Sequence, residues 1–137
     1  MIDYIDSAEN LIEDQCTGFF VGWPNPPVPG TLLKILQQSG EIVLAVDTET
    51  SQLIGFINAV TDGVLSAYIP LLEVLPEYQH RGIGRKLVEL MLEKLDGYYM
   101  IDLVCDDSLK PFYEHFGMSR TGAMVLRDYS AQSGKSE

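Results

Sequence analysis

The feature that most constrains the fold lies in residues 65–96, where the hydrophobic pattern changes from that of a strand to that of a helix. Residues 65–75 form a predominantly apolar run, which is typical of a buried strand. Pro76 ends the run, and a second segment opens at Gly82 and Gly84. Its apolar side chains recur at helical spacing: Ile83, Leu87, Leu90, Met91 and Leu95. A strand, a tight loop and a helix in this order indicate an α/β domain.

The rest of the chain supplies further strands and helices around this unit. Besides 65–75, strands are predicted at residues 2–5, 42–46, 53–60, 99–105 and 123–127. Helices are predicted at residues 6–20, 32–38, 82–96 and 106–117. The proline-rich residues 23–30 form a stiff loop, and Asp62 with Gly63 predicts a two-residue hairpin turn. The expected fold class is α/β (α+β), with a mixed central sheet.

Composition indicates one soluble domain. A length of 137 residues suits a single core, and we expect a domain over residues 1–129 followed by a frayed tail, 130–137. No apolar run approaches the roughly 18 residues that a membrane span needs, and the N-terminus does not resemble a signal peptide. A cytoplasmic location without a membrane partner is therefore expected. Cys16 and Cys105 give neither a disulfide framework nor a metal site.

The charge distribution argues against one class of partner and favours another. Twenty acidic and nine basic residues leave a formal net charge of −11. That balance argues against nucleic acid, because phosphate contacts need a basic face. Against this background, Arg81, Arg85 and Lys86 place three of the nine basic residues within six positions, beside His80. Such a cluster in an acidic chain indicates a local anion site.

The helix that opens at Gly82 is suited to hold an anion. Gly82 and Gly84 have no side chains, so a ligand can approach the main-chain N–H groups of the first turn, which lack acceptors within a helix. The helix dipole adds roughly half a positive charge there. The site therefore suits a phosphate or pyrophosphate. Its spacing fits neither a Walker loop nor a dinucleotide fingerprint, since Arg85 and Lys86 follow Gly84 and position 87 is leucine.

The glycine loop and the segments around it resemble a known family. Residues 79–84, Gln-His-Arg-Gly-Ile-Gly, resemble the Q/R-x-x-G-x-G/A loop of the GNAT superfamily of acetyl-CoA-dependent N-acetyltransferases. Residues 102–106 resemble the family's next strand, and residues 111–118 its F-Y-x-x-x-G-F helix. The resemblance is specific over about residues 42–118. It implies a mixed, mostly antiparallel sheet flanked by helices, with a splay between the strands at 65–75 and 99–105.

The resemblance implies acetyl-CoA as cosubstrate and assigns the residues that contact it. The pyrophosphate is expected on the main-chain N–H groups of residues 79–84. The pantetheine arm is expected in the splay, bonded to the main chain near Val74. The residues expected on this side are Val74, Leu75, Gln79, His80, Arg81, Gly82, Ile83, Gly84, Arg85 and Phe112.

Two side chains are expected to move protons. Strand alternation places Glu73 on one face with Ile69, Leu71 and Leu75, beside the expected thioester. A primary amine has a pKa of about 10.4, so Glu73 could act as general base, directly or through water. Alternatively, it is solvated at an exposed strand end. By resemblance Tyr113 protonates the leaving thiolate, unless it only packs. A main-chain N–H near Leu75 could polarise the acetyl carbonyl.

Fewer residues in the sequence indicate where the acceptor amine binds. Trp23 and Tyr68, with Tyr129, could line a pocket for the amine, whereas the alternative for Trp23 is a plug in the core. After Met118 the chain has room for one strand and a fragment, although most relatives have two strands there. The acceptor wall is then incomplete, and a partner subunit in a homodimer could complete it.

Three functions are weighed. The first is direct transfer of acetyl from acetyl-CoA to a primary amine of a small molecule or peptide, where the acidic surface suits a polyamine, an aminoglycoside or a lysine-rich peptide. The second is a non-catalytic CoA-binding regulatory or interaction domain. The third, an acidic partner-binding protein without a ligand, is disfavoured by the clustered arginines.

Cys105 with Asp106 and His115 also suggests a thiol nucleophile, although a buried cysteine usually behaves as a small apolar residue.

Overall fold

The computed structural model describes residues 1–135 and contains six strands and three α-helices in that range. The strands are β1 (Ile2–Ile5), β2 (Glu41–Asp47), β3 (Gln52–Thr61), β4 (Ser66–Tyr68), β5 (Leu72–Val74) and β6 (Met100–Asp102). The α-helices are α1 (Pro29–Gln38), α2 (Ile83–Lys94) and α3 (Lys110–Glu114). Single 3-10 turns lie at Glu13–Gln15, Pro76–Tyr78, Asp107–Leu109 and Tyr129–Ala131.

All six strands join one sheet, in the order β1-β2-β3-β4-β6, with β5 also paired to β3. Every pairing is antiparallel except that of β4 with β6. β3 is long enough to pair with β5 through residues 55–57 and with β4 through Val60 and Thr61. This arrangement confirms the expected α/β fold with a mixed, mostly antiparallel sheet.

The strand expected over residues 65–75 is divided into β4 and β5, and the division opens the sheet. Pro70 lies in the gap and cannot donate a ladder hydrogen bond. The buried Asn58 spans the gap: its N–H donates to the Leu71 carbonyl at 3.2 Å, and its Oδ1 accepts from the Leu71 N–H at 3.1 Å. β6 follows only β4, as far as Asp102. The predicted splay therefore lies between β5 and the chain that continues from β6.

Two apolar cores cover the two faces of the sheet. On one face, here called the α2 face, the side chains of Leu87, Met91 and Leu95 are fully buried, as their spacing of four residues predicts. On the other, the α1 face, Leu32 and Leu36 pack against β2, β3 and residues 8–20. Sequence alternation put Ile69, Leu71, Glu73 and Leu75 on one face. The break at Pro70 instead leaves Ile69 and Leu75 in the α2-face core and Leu71 against the α1-face core.

The prediction of a helix over residues 6–20 was wrong. This segment contains only the turn Glu13–Gln15, although Ala8, Leu11 and Phe20 are buried at spacings that a helix would also give. Gly18 and Phe20 have φ values of 90° and 62°, a left-handed conformation that interrupts a helix. The apolar residues here are buried by a folded loop rather than by a helix.

Two smaller boundaries also differ from expectation. α1 begins at Pro29 rather than at residue 32, because proline is tolerated in the first turn of a helix. The hairpin loop between β3 and β4 covers residues 62–65 rather than two residues. Its geometry is set by the carboxylate of Asp62, whose Oδ1 accepts the N–H groups of residues 64–66, and these bonds lower the pKa of Asp62 to about 2.

The prediction of a last strand over residues 123–127 was also wrong. Residues 119–127 form no main-chain hydrogen bond to the described part of the chain, and residues 119–131 are exposed. The chain then turns at Tyr129–Ala131, where Asn25 donates its side-chain amide to the Tyr129 carbonyl at 3.2 Å. The domain limit at residue 129 stays a prediction, and residues 136 and 137 lie outside the described residues. No helix in residues 1–135 is both long and apolar enough to cross a membrane.

Candidate active site

Six consecutive main-chain N–H groups are open where α2 begins. Within the described residues, those of residues 80–85 donate to no acceptor, whereas the flanking groups are paired. The Gln79 N–H donates to the Pro76 carbonyl at 3.3 Å, and the Lys86 N–H to the Gly82 carbonyl at 3.1 Å. Open donors in the first turn of a helix, at the positive end of its dipole, attract anions. The main chain here fits a phosphate or diphosphate group.

The loop that precedes α2 takes a backbone conformation that leaves room for such a ligand. His80 and Gly82 have φ values of 64° and 80°. Left-handed residues close to a helix start turn successive N–H groups towards a common concave side, which can bind an anion. A Cβ built on Gly82 would meet no atom within 4 Å. Glycine is therefore needed at this position for its conformation, and the space in front of the helix is open.

The same loop is tied to the far end of β2 by a hydrogen bond that the sequence did not indicate. The Tyr78 hydroxyl donates to the Asp47 carboxylate at 2.6 Å. This bond lowers the pKa of Asp47 and raises the pKa of Tyr78, because it favours the charged carboxylate and the neutral phenol. Because the two residues are 31 positions apart, no local sequence pattern indicates this hydrogen bond. The only local clue is a tyrosine directly before the glycine loop.

The three clustered cations have different surroundings. The Arg81 guanidinium lies 5.1 Å from the centroid of the Tyr78 ring and donates to the Glu77 carbonyl at 3.1 Å. Arg85 reaches across to α3, where its Nη1 lies 2.6 Å from Nε2 of His115. Lys86 is exposed. All three residues belong to, or directly follow, the segment with the open N–H groups.

On the strand edge that borders the splay, the donor expected near Leu75 is not free. The Leu75 N–H donates to the Ile54 carbonyl at 2.8 Å, so it points into the sheet rather than into the splay. By strand alternation, the main-chain groups of Val74 face the opposite way. The Val74 carbonyl accepts from Nε2 of Gln79 at 3.0 Å. The Val74 N–H is therefore a donor that β5 offers to a ligand in the splay, next to the main-chain contact expected near Val74.

Tyr113 lies on α3, against the core of the α2 face. Its ring packs edge-on against Phe112, with centroids 5.0 Å apart. Burial raises the pKa of Tyr113 to about 12, and the neighbouring Cys105 thiol adds to the shift. The hydroxyl makes no hydrogen bond to the residues that the structure describes. It is thus a protonated, half-buried donor at neutral pH.

Glu73 is half-buried, and its carboxylate is hydrogen-bonded to the main chain rather than free. Its Oε1 accepts the Phe20 N–H at 2.8 Å, and its Oε2 lies 3.3 Å from the Val21 nitrogen, which donates to it. The carboxylate therefore holds the left-handed turn at Phe20 against β5. Each carboxylate oxygen has a second lone pair that can still accept a proton or a water.

The aromatic residues expected on the acceptor side lie near this turn or along β4. Trp23 packs on Phe20, with ring centroids 4.7 Å apart, and 37% of Trp23 is exposed, so it does not plug the core. Tyr68 pairs with Val60 and is also partly exposed. Tyr129 lies beyond the exposed C-terminal segment, near Asn25.

The rival thiol site is not assembled among the described residues. His115 contacts Arg85, and the structure records no hydrogen bond from Cys105 to His115 or Asp106. Within residues 1–135, no group of three His, Cys, Asp or Glu side chains converges in a way that could hold a metal ion. The expectation of a metal-free site stays a prediction.

Comparison with known proteins identifies the family. The model of the acetyltransferase (GNAT) family matches residues 8–118. A crystal structure of a protein from Deinococcus radiodurans R1, classed as an acetyltransferase, has a TM-score of 0.95 and 45% identity, over 99% of this chain and 94% of that one. The GNAT family acetyltransferase SP0256 from Streptococcus pneumoniae TIGR4 has a TM-score of 0.73 and 29% identity, over 93% and 98%. The chain therefore belongs to the GNAT acetyltransferase family.

A curated relative is longer than this chain. The uncharacterized N-acetyltransferase YitH from Bacillus subtilis strain 168 is 28% identical over 137 residues, which is 96% of this chain and 46% of YitH. The chain thus spans less than half of that relative's length.

The raised pKa of Tyr113 gives a direct test of the site's geometry. The absorbance change on ionisation of tyrosine is followed against pH, and the curve of Tyr113→Phe is subtracted from that of the wild type. The difference should have a midpoint of about 12. In denaturant the same difference should move to about 10, since the burial is lost. A midpoint near 10 in the folded protein would contradict the placement of Tyr113.

Proposed function

We propose that this protein is an acetyl-CoA-dependent N-acetyltransferase that moves an acetyl group directly to a primary amine of a small molecule or peptide. The observation that carries the proposal is the row of open N–H groups at residues 80–85, beside a splay into which the Val74 N–H points. Membership of the GNAT family supports acetyl transfer as the reaction class. A diphosphate group and an amide-rich arm are the chemical features that these two sets of donors would bind.

The residues present fit acetyl-CoA as the cosubstrate. When bound, it supplies a thioester whose carbonyl carbon can be attacked by an amine. Main-chain donors at residues 80–85 would hold its diphosphate, with Arg81, Arg85 and Lys86 adding positive charge. The Val74 N–H would bind the pantetheine arm in the splay, and Phe112 would pack beside it. Leu75 would contribute only its side chain, because its N–H is already bonded.

The two proton-moving residues lie on opposite faces of the sheet. Glu73 reaches the turn at Phe20 on the α1 face, and Tyr113 packs in the core of the α2 face. The splay joins the two faces. An amine that enters from the α1 face could lose a proton to Glu73 directly or through a water. Tyr113, on the other face, would donate its proton to the leaving thiolate, which its raised pKa favours at neutral pH.

The acceptor would approach on the α1 face. Trp23 and Tyr68 expose ring surface there, and a ring next to a carboxylate suits a cationic amine. The net charge of −11 favours a cationic acceptor in general, such as a polyamine, an aminoglycoside or a lysine-rich peptide.

A second candidate is a CoA-binding domain without catalysis. One observation favours it: both carboxylate oxygens of Glu73 already accept main-chain N–H groups, so its structural role accounts for its position. Such a protein would bind CoA without releasing thiol from acetyl-CoA in the presence of any amine.

The proposed function is tested by thermal shift with acetyl-CoA and by thiol release against a panel of amines. At 100 times its dissociation constant, acetyl-CoA should stabilise the fold by about 2.7 kcal/mol, and at least one amine should accelerate thiol release. Tyr113→Phe should keep the thermal shift and lose about 10²-fold or more in kcat, since one general acid contributes this much. Unchanged turnover in Tyr113→Phe would remove its role as acid.

Glu73→Gln separates the role of base from that of anchor. If Glu73 takes the proton, kcat/KM should fall about 10²-fold or more, and the acidic limb of the pH profile should disappear. The exposed Glu77→Gln in the adjacent loop is the matched control and should match the wild type. A loss in Glu73→Gln that leaves the shape of the pH profile intact would show that the carboxylate only holds the turn at Phe20.

Gly82→Ala tests the anion site against a matched glycine. Gly82 and Gly63 have φ values of 80° and 78°, and a Cβ on either meets no atom within 4 Å. Each substitution should cost about 1 kcal/mol of stability, because alanine disfavours this conformation. Only Gly82→Ala should also weaken acetyl-CoA binding, by about tenfold, since it displaces the open N–H groups. Equal affinities in the two variants would locate the diphosphate elsewhere.

A further inference from the structure

Residues 119–127, here called the arm, have the composition of a strand but no strand partner. The sequence Ser-Arg-Thr-Gly-Ala-Met-Val-Leu-Arg contains three consecutive large apolar residues. Two of them, Met124 and Leu126, are 100% and 96% exposed, and Val125 is exposed as well. The arm forms no main-chain hydrogen bond to the described residues. An apolar segment of this kind left in water is unusual for a folded monomer.

Both ends of the arm are held by its own chain, so the arm is a defined element with a fixed origin. At its start, Arg120 forms an ion pair with Glu114 at 2.9 Å. Beyond its end, Oε1 of Gln132 accepts the Asn25 N–H at 2.8 Å. The exposed residues lie between these two points of attachment.

One of the open edges of the sheet is formed by β6. β6 is the last strand in the sheet order. On its inner side, the Met100 N–H donates to the Leu65 carbonyl at 3.1 Å, and the Asp102 carbonyl accepts the Ile69 N–H at 2.9 Å. In a strand alternate residues point their main-chain groups to opposite sides. The N–H and C=O groups of Ile101 and of the residues that follow in register therefore face outwards, ready to pair with another strand.

An apolar surface adjoins this open edge. Val60 of β3, Tyr68 of β4 and Met100 of β6 are all exposed, and sheet register puts them on the α1 face, beyond the area that α1 covers. Val104 continues the series just after β6 and is exposed too. Asp102 gives this edge a negative charge, whereas Arg127 gives the arm a positive one. The edge offers hydrogen bonds, apolar contact and charge that match the arm.

We propose that the arm of one copy pairs with β6 of a second copy, and that two such exchanges form a homodimer about a twofold axis. Each chain has an open edge on β6 and one unpaired strand-like segment, so a reciprocal exchange pairs both of them in both copies. The exchange would bring Met124 and Leu126 of the arm against the exposed surface of Val60, Tyr68 and Met100. This pairing also supplies the strand that residues 123–127 predict but that the single chain does not form.

The exchange has a consequence for the acceptor side. This consequence rests on the proposed function, whereas the dimer itself does not. Because Tyr68 borders the proposed acceptor site, the partner's arm would form part of its wall. A dissociated chain would then keep its cosubstrate loop, which lies at the start of α2, but would lose affinity for the acceptor. Failure of acetyl-CoA to bind would reject the proposed function and leave the dimer untouched.

The dimer is tested by light scattering after size exclusion, over about 1–100 µM chain. The wild type should have twice the chain mass of 15.3 kDa. Leu126→Asp and Met100→Asp should each raise the dissociation constant about 100-fold or more, since the lost apolar contact counts twice in a symmetric interface. Ile12→Asp, at an exposed apolar residue far from both in sequence, is the control and should remain dimeric. Circular dichroism checks that each variant is folded.

A mixing experiment identifies which surfaces meet. Leu126→Asp keeps an intact β6 edge and Met100→Asp keeps an intact arm, so a mixture can form one intact interface of two. The mixture should therefore contain more dimer than either variant alone. A wild-type mass of one chain throughout the concentration range would overturn the proposal. A dimer that survives Met100→Asp, or a mixture that shows no gain, would show that the arm does not pair with β6.

Discussion

The site depends on the hydrogen bonds between Asn58 and Leu71. These bonds hold the returning strand against β3 at the point where Pro70 breaks the ladder. They allow β4 to continue into a parallel pair with β6, while β5 stays on β3 alone. Without this interruption, β6 could run alongside a single long strand and the sheet would be closed. Asn58 is buried, and both ends of its side-chain amide are hydrogen-bonded, since its Nδ2 also donates to Ser39 Oγ at 3.1 Å.

The site that follows from the splay divides its tasks between main chain and side chains. In the proposed reaction, anion binding would fall mainly to N–H groups, whose directions are set by backbone conformation and by the Tyr78–Asp47 bond. Proton movement would fall to side chains on opposite faces, Tyr113 and Glu73. The Tyr113 ring is held by packing on Phe112, and the Glu73 carboxylate is held by main-chain donors.

The sequence was a good guide to the glycine loop and to the segments that flank it. The glycine loop, the amphipathic α2 and the aromatic helix around Tyr113 could all be predicted, since each depends on spacing within a few residues. The direction of the Leu75 N–H could not be predicted, because the break at Pro70 changes which residues face β3. The anchoring of Tyr78 on Asp47 and of Phe20 on Glu73 joins residues 31 and 53 positions apart, and such pairs have no local pattern.

By itself, the sequence determined the class of fold, the order of its main elements and the position of the glycine loop, because hydrophobic period and glycine placement act over short distances. Tertiary structure decided whether residues 6–20 became a helix and whether residues 123–127 became part of a sheet. In the first segment, left-handed turns buried the same apolar residues without a helix. In the second, strand propensity was present, but a strand needs a neighbouring edge, and no edge of the chain's own sheet lies against it.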